Sequence, residues 1–213
     1  MTNEIIENLE EAILKYNNVQ AEHWARKAVE VKIDPVAALE ALTRAVRQVG
    51  DGYGRGELWL PELVGAASAM QSAMPIIEEE LKKEGVIRKS LGLIIIGTVF
   101  GDIHSIGEKM VATLLLAGGF EVLDLGVNVK AEQFIAAVKE HSPKILALSA
   151  LMTTTAPEQG KVINILTEDG LRDKVKIIVG GGAITQEFAD KIGADGFAPT
   201  APKAAELAKR LIS

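Results

Sequence analysis

The stretch of sequence that is most informative about the fold is LGLIIIGTVFGDIHSIG, which spans Leu91–Gly107. Its apolar start, Leu91–Ile96, is typical of a buried parallel strand, and Glu108–Ala117 after it has helical spacing. The loop between them therefore lies at the carboxyl end of a strand, where open α/β sheets bind their ligands. It carries Asp102 and His104, two residues apart. This pairing suits a metal-binding histidine, because one ring nitrogen faces the metal while the other donates its proton to the carboxylate.

The composition is that of a globular protein. The 213 residues are 48% hydrophobic and 24% charged, which is enough to fill a core. The formal net charge of -6 disfavours nucleic acid or an anionic membrane as partner. The absence of cysteine excludes disulfides and thiolate chemistry. No basic residue occurs in the first fourteen and no apolar run is long enough to span a bilayer, so we expect a cytoplasmic protein without signal peptide or membrane span.

After Ser90 apolar strand patterns alternate with helical patterns. This alternation predicts an α/β domain with a five-stranded parallel sheet, covered by helices on both faces in a flavodoxin-like or Rossmann-like arrangement. The predicted strands are Leu91–Ile96, Phe120–Asp124, Ile145–Ser149, Lys176–Val179 and Gly196–Ala198. The predicted helices are 106–117, 131–141, 156–168, 185–192 and 202–212.

The first 85 residues show helical spacing and no strand pattern, which predicts a four-helix bundle. The third helix begins at Pro35 and should end at Gly50, because four glycines in seven residues mark a turn. The fourth begins near Pro61 and carries the small residues Gly65–Ala69, which suit either close helix packing or a broad flat ligand. We place the domain boundary at 1–88 and 89–213, with a hinge near residues 85–90.

Two further predicted strand ends carry loops suited to ligand binding. Ser149–Thr155 holds four hydroxyl side chains, and Gly180–Gly182 is a run of three glycines that lets a ligand approach the backbone closely. The glycines match neither a P-loop nor a dinucleotide-binding fingerprint. Because the carboxyl ends of parallel strands meet at one edge, all three loops should face a single crevice.

Together these loops resemble the cobalamin-binding signature of cobalamin-dependent methionine synthase, the acyl mutases and the corrinoid proteins of methyltransferase systems. Three motifs carry the resemblance: Asp102-x-His104-x-x-Gly107, Ser149-x-Leu151 and Gly181-Gly182. The first half resembles the helical cap of that family, with Gly54–Pro61 (GRGELWLP) in the expected place. The two-part layout is most similar to the small corrinoid shuttle subunits of one-carbon metabolism.

The resemblance implies a cobalamin cofactor, as methylcobalamin, cob(I)alamin or a related corrinoid. His104 would be the lower axial cobalt ligand in place of the cofactor's own base, Asp102 would accept the other imidazole proton, and Thr155 would extend this relay. The nucleotide tail would lie in a slot lined by Ser149, Leu151, Gly181 and Gly182, then Ala198 and Thr200, with Thr153 at the corrin edge. The expected cofactor-binding residues also include Gly101, Asp102, Ile103, His104, Ser105, Ile106 and Gly107. The expected cap over the methyl face consists of Tyr53, Leu60, Leu63 and Ala67.

The function implied is that of a methyl carrier. A donor-specific methyltransferase would load it, and a second methyltransferase would deliver the methyl group to tetrahydrofolate or a thiol such as coenzyme M. We expect no turnover by the chain alone, and a reductive-activation protein as a further partner. One alternative is a cobalamin-binding sensor, which the acidic N-terminus disfavours. The other is the small subunit of a mutase, which the helical first half disfavours. The donor stays open among methanol, methylamines, quaternary amines and aryl methyl ethers.

Overall fold

The computed structural model describes residues 2–83 and 90–212. It divides into two compact units: of the described residues, 2–83 and 116–119 belong to the first, and 90–115 and 120–212 belong to the second. The predicted linker and hinge lie outside the described residues, apart from Ser90. No helix within the described ranges is long and apolar enough to cross a membrane.

The described part of the first unit folds into four α-helices, as predicted. They are α1 (Thr2–Leu14), α2 (Asn18–Glu30), α3 (Pro35–Gly54) and α4 (Leu60–Lys83). Side-chain caps fix two of the helix starts: Asn17 accepts a hydrogen bond from the backbone N–H of Gln20, and Asp34 accepts one from Val36. The helices bury one apolar stripe each, including Leu9, Ile13, Leu42, Leu63 and Ile77.

The predicted end of α3 at Gly50 is wrong, because the helix continues to Gly54. The chain then folds back so closely that a Cβ atom on Gly52 would lie 2.9 Å from Leu58 Cδ1. Gly52 therefore serves packing and not chain reversal. The left-handed conformation that ends the segment occurs only at Gly56, whose φ is +75°.

Within residues 90–212, five parallel strands form one sheet in the order β2-β1-β3-β4-β5, which confirms the flavodoxin-like prediction. The strands are β1 (Leu93–Thr98), β2 (Glu121–Asp124), β3 (Ile145–Ser149), β4 (Lys176–Gly180) and β5 (Gly196–Ala198). The helices are α5 (Ile106–Ala117), α6 (Ala131–His141), α7 (Pro157–Glu168), α8 (Gln186–Ile192) and α9 (Ala201–Ile212). The first strand begins two residues later than predicted, since Gly92 has a φ of +136° that breaks the extended run.

Alternate residues of each strand pack on opposite faces of the sheet. Ile95 belongs to the core formed with α6 and α7, whereas Ile94 and Ile96 belong to the core formed with α5 and α9. The sheet is thus covered on both sides, as its continuous apolar strands require. The strand order reverses between β1 and β3, so the ligand crevice of this fold lies beyond their carboxyl ends.

Candidate functional site

Three loops meet at the carboxyl ends of β1, β3 and β4. The backbone N–H of Val99, after β1, donates to the carbonyl of Ser149 over 3.0 Å. The N–H of Ala150, after β3, donates in turn to the carbonyl of Gly180 over 3.0 Å. Each loop is therefore held to its neighbour by the last rung of the sheet, and all three present their side chains at one edge.

The centre of this site is the carboxylate of Asp102, which is fully buried. Its Oδ1 atom lies 2.7 Å from His104 Nδ1 and accepts the backbone N–H of His104 over 3.1 Å. Its Oδ2 atom accepts the N–H of Leu151 over 2.8 Å and the hydroxyl of Thr155 over 2.7 Å. The structure thus brings together the three residues of the expected relay, two from the first loop and one from the second.

Hydrogen bonding keeps Asp102 ionised despite its burial. Burial alone would raise the pKa of this carboxyl, but the hydrogen bonds from Thr155, His104 and the backbone N–H groups of His104 and Leu151 hold it far below its ordinary range. An ionised carboxylate only accepts hydrogen bonds, so Nδ1 of His104 carries the ring proton. The lone pair on Nε2 is then left for a ligand.

His104 is placed to use that lone pair. Its side chain is 47% exposed, and among the described residues no hydrogen bond to Nε2 is formed. Imidazole nitrogen is a good ligand for first-row transition metals such as cobalt. A buried carboxylate that orients an exposed imidazole is also the usual outer-shell arrangement of metal-binding histidines. The donor set therefore fits one axial position of a metal ion.

An apolar rim surrounds the histidine. Ile103 and Ile106 flank it in the chain and are 73% and 70% exposed, and Phe100 and Leu151 are 43% and 45% exposed. Single exposed apolar side chains are common, but several in one loop and its neighbour are typical of a surface that a ligand or a partner covers. A flat, largely apolar ligand lying over the loops would cover them, so this rim also fits the broad ring of a corrinoid.

The third loop packs directly on the second. A Cβ atom on Gly181, whose φ is +120°, would lie 1.9 Å from the carbonyl oxygen of Ala150. One on Gly182 would lie 2.8 Å from Leu151 Cδ1. The sequence suggested that these glycines admit a ligand; the structure shows that contact between the two loops already requires Gly181.

The remaining residues expected around the cofactor lie at the same edge of the sheet. Ser149 ends β3 and is half-buried, Ala198 ends β5 and is buried, and Thr200 is exposed just before α9. The others are exposed or half-buried in the first two loops or the first turn of α5: Gly101, Ser105, Gly107 and Thr153.

The four expected cap residues belong to the first unit. Tyr53 lies near the end of α3 and Leu60 begins α4, and both are half-buried. Leu63 and Ala67 follow on α4 at helical spacing, and both are buried. Their role over the methyl face stays a prediction.

Asn128 is a site residue that the sequence analysis missed. Its Oδ1 accepts the N–H of Gly101 over 2.8 Å, and its own N–H donates to the carbonyl of Asp102 over 2.8 Å. These two hydrogen bonds hold the backbone at Gly101 and Asp102, immediately before His104. Its φ of +56° is a conformation that asparagine tolerates better than most residues, so the asparagine after β2 was the available signal.

Gln159 is a second missed residue. It is fully buried on α7, and its Nε2 donates to the carbonyls of Leu148 and Gly180 over 2.9 and 3.1 Å. The side chain therefore ties the ends of β3 and β4 together beneath the second and third loops. A lone glutamine in a helix gives no sequence signal for this role.

Glu108 is the third residue that the sequence analysis missed. It lies in the first turn of α5, only 1% exposed. Burial, and then the neighbouring Asp124, raise the pKa of its carboxyl to about 8, against smaller opposing effects of Lys109 and Thr98. At neutral pH this side chain is therefore protonated, in contrast to Asp102.

Comparison with known protein families and sequences shows which proteins this chain is similar to. Residues 92–208 match one B12 binding domain family, and residues 5–78 match another. The chain is 44% identical over 211 residues to the trimethylamine corrinoid protein of Methanosarcina barkeri, covering 99% of this chain and 97% of that protein. It is 40% identical over 210 residues to dimethylamine corrinoid protein 1 of Methanosarcina mazei, covering 98% and 96%.

Solved structures are similar as well. A chain of the methanol:cobalamin methyltransferase complex of M. barkeri superposes with a TM-score of 0.87 at 31% identity, covering all of this chain and 81% of that one. The monomethylamine corrinoid protein of M. barkeri superposes with a TM-score of 0.56 at 33% identity, covering 99% and 100%.

Proposed function

Because this chain belongs to the family of B12-binding corrinoid proteins, whose cofactor is cobalamin or a related corrinoid, we propose that it is the methyl carrier of a methyltransferase system. When bound, the corrinoid would supply a cobalt ion able to accept a methyl group from a donor on one methyltransferase and to give it to an acceptor on another. The observation that carries the proposal is the Thr155–Asp102–His104 chain of hydrogen bonds, which leaves Nε2 of His104 free at the edge of the sheet.

His104 is the proposed lower axial ligand, bound in place of the cofactor's own base. Asp102 accepts the proton on Nδ1 and thereby selects the tautomer of the neutral ring whose lone pair is on Nε2. Movement of that proton toward Asp102 makes the imidazole a stronger donor, and movement away makes it a weaker one. Thr155 keeps the carboxylate in place, since its hydroxyl holds the oxygen that does not face His104.

A methylamine is the methyl donor that we favour. The relatives reported above are named for trimethylamine and dimethylamine, at 40% identity or more over nearly the whole chain. In this proposal a methylamine-specific methyltransferase loads the cofactor, and a second methyltransferase passes the methyl group to a thiol such as coenzyme M or to tetrahydrofolate. A reductive-activation protein restores cofactor that has been oxidised.

The proposal also assigns a cap over the cofactor to the first unit. Tyr53, Leu60, Leu63 and Ala67 are assigned to the face of the cofactor opposite His104, on the resemblance of the first unit to the family's helical cap. The assignment of residues 1–88 as the cap domain and of residues 89–213 as the cofactor-binding domain rests on the same resemblance. An apolar cap of this kind excludes water and oxidants from the reactive metal face, and it must open for each partner.

Reconstitution tests the proposed ligand directly. The apoprotein is loaded with hydroxocobalamin, and its visible spectrum is recorded for wild type, His104→Ala and the control His141→Ala. The cofactor is then reduced chemically to cob(I)alamin, and its methylation by trimethylamine in the presence of a trimethylamine methyltransferase is followed for the same three proteins. We expect His104→Ala alone to lose the spectrum of a histidine-bound cobalt. An unchanged spectrum in His104→Ala would refute the assignment of this residue. Normal cofactor binding in wild type without methylation by any amine-specific partner would refute the choice of donor.

A further inference from the structure

Glu108 is a buried group to which the function proposed above gives no role. It follows His104 by four residues, and both of its carboxyl oxygens are buried without a hydrogen-bond partner among the described residues. Asp124 and Thr98 are close enough to shift the pKa of its carboxyl, but neither forms a hydrogen bond of normal distance and angle with either oxygen. Burying a polar group without partners is costly, so such a group calls for a ligand or another functional reason.

Glu108 lies on the face of α5 that packs on the sheet. Ala112, one turn further along the helix, packs in the same core as Ile96 of β1. Thr98, two residues beyond Ile96, shares that face of the strand, and its hydroxyl donates to the carbonyl of His104 over 3.4 Å. The carboxyl of Glu108 is therefore located beneath the His104 loop, at the upper end of this sheet face.

The same face and edge carry the residues expected to line the slot for the nucleotide tail. Ala198 at the end of β5 belongs to the core on this face, as does Ala147 of β3. Ser149, two residues beyond Ala147, therefore shares the face as well. These positions offer small or hydroxyl side chains, so they leave room at the edge. The carboxyl of Glu108 lies on the α5 side of this edge, buried and without a hydrogen-bond partner among the described residues.

We propose that Glu108 is a recognition residue for the nucleotide tail of the cofactor, and that its carboxyl O–H donates a hydrogen bond to an oxygen of that tail. The inference rests on the proposed function, because it requires a bound corrinoid. The inference goes beyond that function because it assigns a specific role to one side chain: Glu108 distinguishes corrinoids that have a nucleotide tail from those that lack one.

The charge of the carboxyl group decides whether it is able to do this. The tail carries a phosphodiester anion, which a carboxylate would repel and a neutral carboxyl group would attract as a donor. The charged groups around Glu108 are Asp124 from β2 and Lys109 from its own helix, and Lys109 Nζ lies 3.6 Å from Asp124 Oδ2. Lys109 is thus partly neutralised by Asp124, and Glu108 keeps its proton at neutral pH.

A pair of ligands separates tail recognition from other roles. Wild type, Glu108→Gln, Glu108→Leu and the control Glu132→Leu, an exposed first-turn glutamate of α6, are titrated with cobalamin and with cobinamide, which lacks the nucleotide. Binding is followed by calorimetry at pH 7. We expect Glu108→Leu to bind cobalamin about tenfold more weakly, as for one lost buried hydrogen bond, and to bind cobinamide like wild type. Glu108→Gln keeps a neutral N–H donor and should bind both ligands like wild type.

The pH dependence provides a second readout that does not depend on the leucine variant folding. Between pH 7 and pH 9 the affinity of wild type for cobalamin should fall, while that of Glu108→Gln should stay constant. Equal cobalamin affinity of wild type and Glu108→Leu, an equal loss for cobinamide, or identical pH profiles of wild type and Glu108→Gln would overturn the inference while leaving the carrier function intact. Failure of wild type to bind cobalamin at all would overturn both.

Discussion

Two neighbouring regions of the second unit, the loop after β1 and the first turn of α5, each bury one carboxyl group. The two groups differ in their protonation state. Asp102 is surrounded by donors and stays ionised, with its pKa far below the usual range. Glu108, six residues on, has no donor in hydrogen-bonding geometry and keeps its proton up to about pH 8. Both are almost fully buried. The difference shows that burial raises the pKa of a carboxyl group at both sites, and that only at Asp102 do hydrogen-bond donors outweigh it.

Replacing each carboxyl group by leucine should give the largest contrast. Asp102→Leu leaves the backbone N–H groups of His104 and Leu151 without their acceptor, and the hydroxyl of Thr155 keeps only the carbonyl of Met152. We therefore expect the free energy of unfolding to fall by about 3 kcal/mol. Glu108→Leu removes a group that has no partners, so the apoprotein should be as stable as wild type or more so. Urea unfolding at pH 7 measures both. Equal destabilisation by the two variants would break the comparison.

The pH dependence of stability should differ in sign at the two sites. The folded protein holds the proton of Glu108 up to about pH 8, whereas the unfolded chain releases it near pH 4.5. Rising pH between these values therefore favours unfolding, and wild type should lose about 2 kcal/mol relative to Glu108→Gln. For Asp102 the folded pKa is the lower one, so its contribution is present above about pH 4 and is lost as the pH falls.

Thermal or urea unfolding of wild type, Glu108→Gln and Asp102→Asn across pH 3 to 9 measures this difference. A stability difference between wild type and Glu108→Gln that does not change with pH would show that Glu108 is ionised in the folded apoprotein. The stability difference between wild type and Asp102→Asn should become smaller below pH 4. A difference that stays constant there would contradict the account of Asp102.

A smaller effect is expected from the hydroxyl that holds Asp102. Thr155→Val removes one donor from Oδ2 and leaves the N–H of Leu151, so we expect a loss of about 1 kcal/mol. Thr155→Ser keeps the hydroxyl and serves as the matched control. Nuclear magnetic resonance of the His104 ring reports whether the Nδ1 proton moves. An equal loss in both variants would mean that packing of the threonine methyl group, and not its hydroxyl, stabilises the loop.

The sequence was sufficient for the parts of the site that are local in the chain. The spacing of Asp102 and His104 predicted their pairing because both lie in one loop, and unbroken apolar runs predicted the strands. Asn128 was missed because its contacts span 26 residues and depend on where the loop after β2 lies. Glutamate in a first helical turn is ordinarily exposed and favourable to the helix dipole, so nothing local marked Glu108 as buried.

The errors have the same origin. Glycine propensity predicted the end of α3 at Gly50, but helix propensity is a weak term that packing overrides, and Leu58 packs where a side chain on Gly52 would lie. Gly181 was assigned to ligand approach, whereas its contact with the Ala150 carbonyl, in a separate loop, is sufficient to require it. In both cases a residue distant in sequence determined the need for glycine.

The central claim is that His104 supplies the axial nitrogen of the cobalt. It is tested most directly by electron paramagnetic resonance of the protein loaded with unlabelled cob(II)alamin, after growth with ¹⁵N-histidine. A ligand nitrogen from the labelled protein has nuclear spin one half, so each cobalt line should split into two. In unlabelled protein the ligand nitrogen has spin one, so each cobalt line should split into three. Asp102→Asn should keep the nitrogen splitting but change its size, because the ring proton is held differently. Three lines in the labelled protein would contradict the account, since the nitrogen would belong to the cofactor's own base.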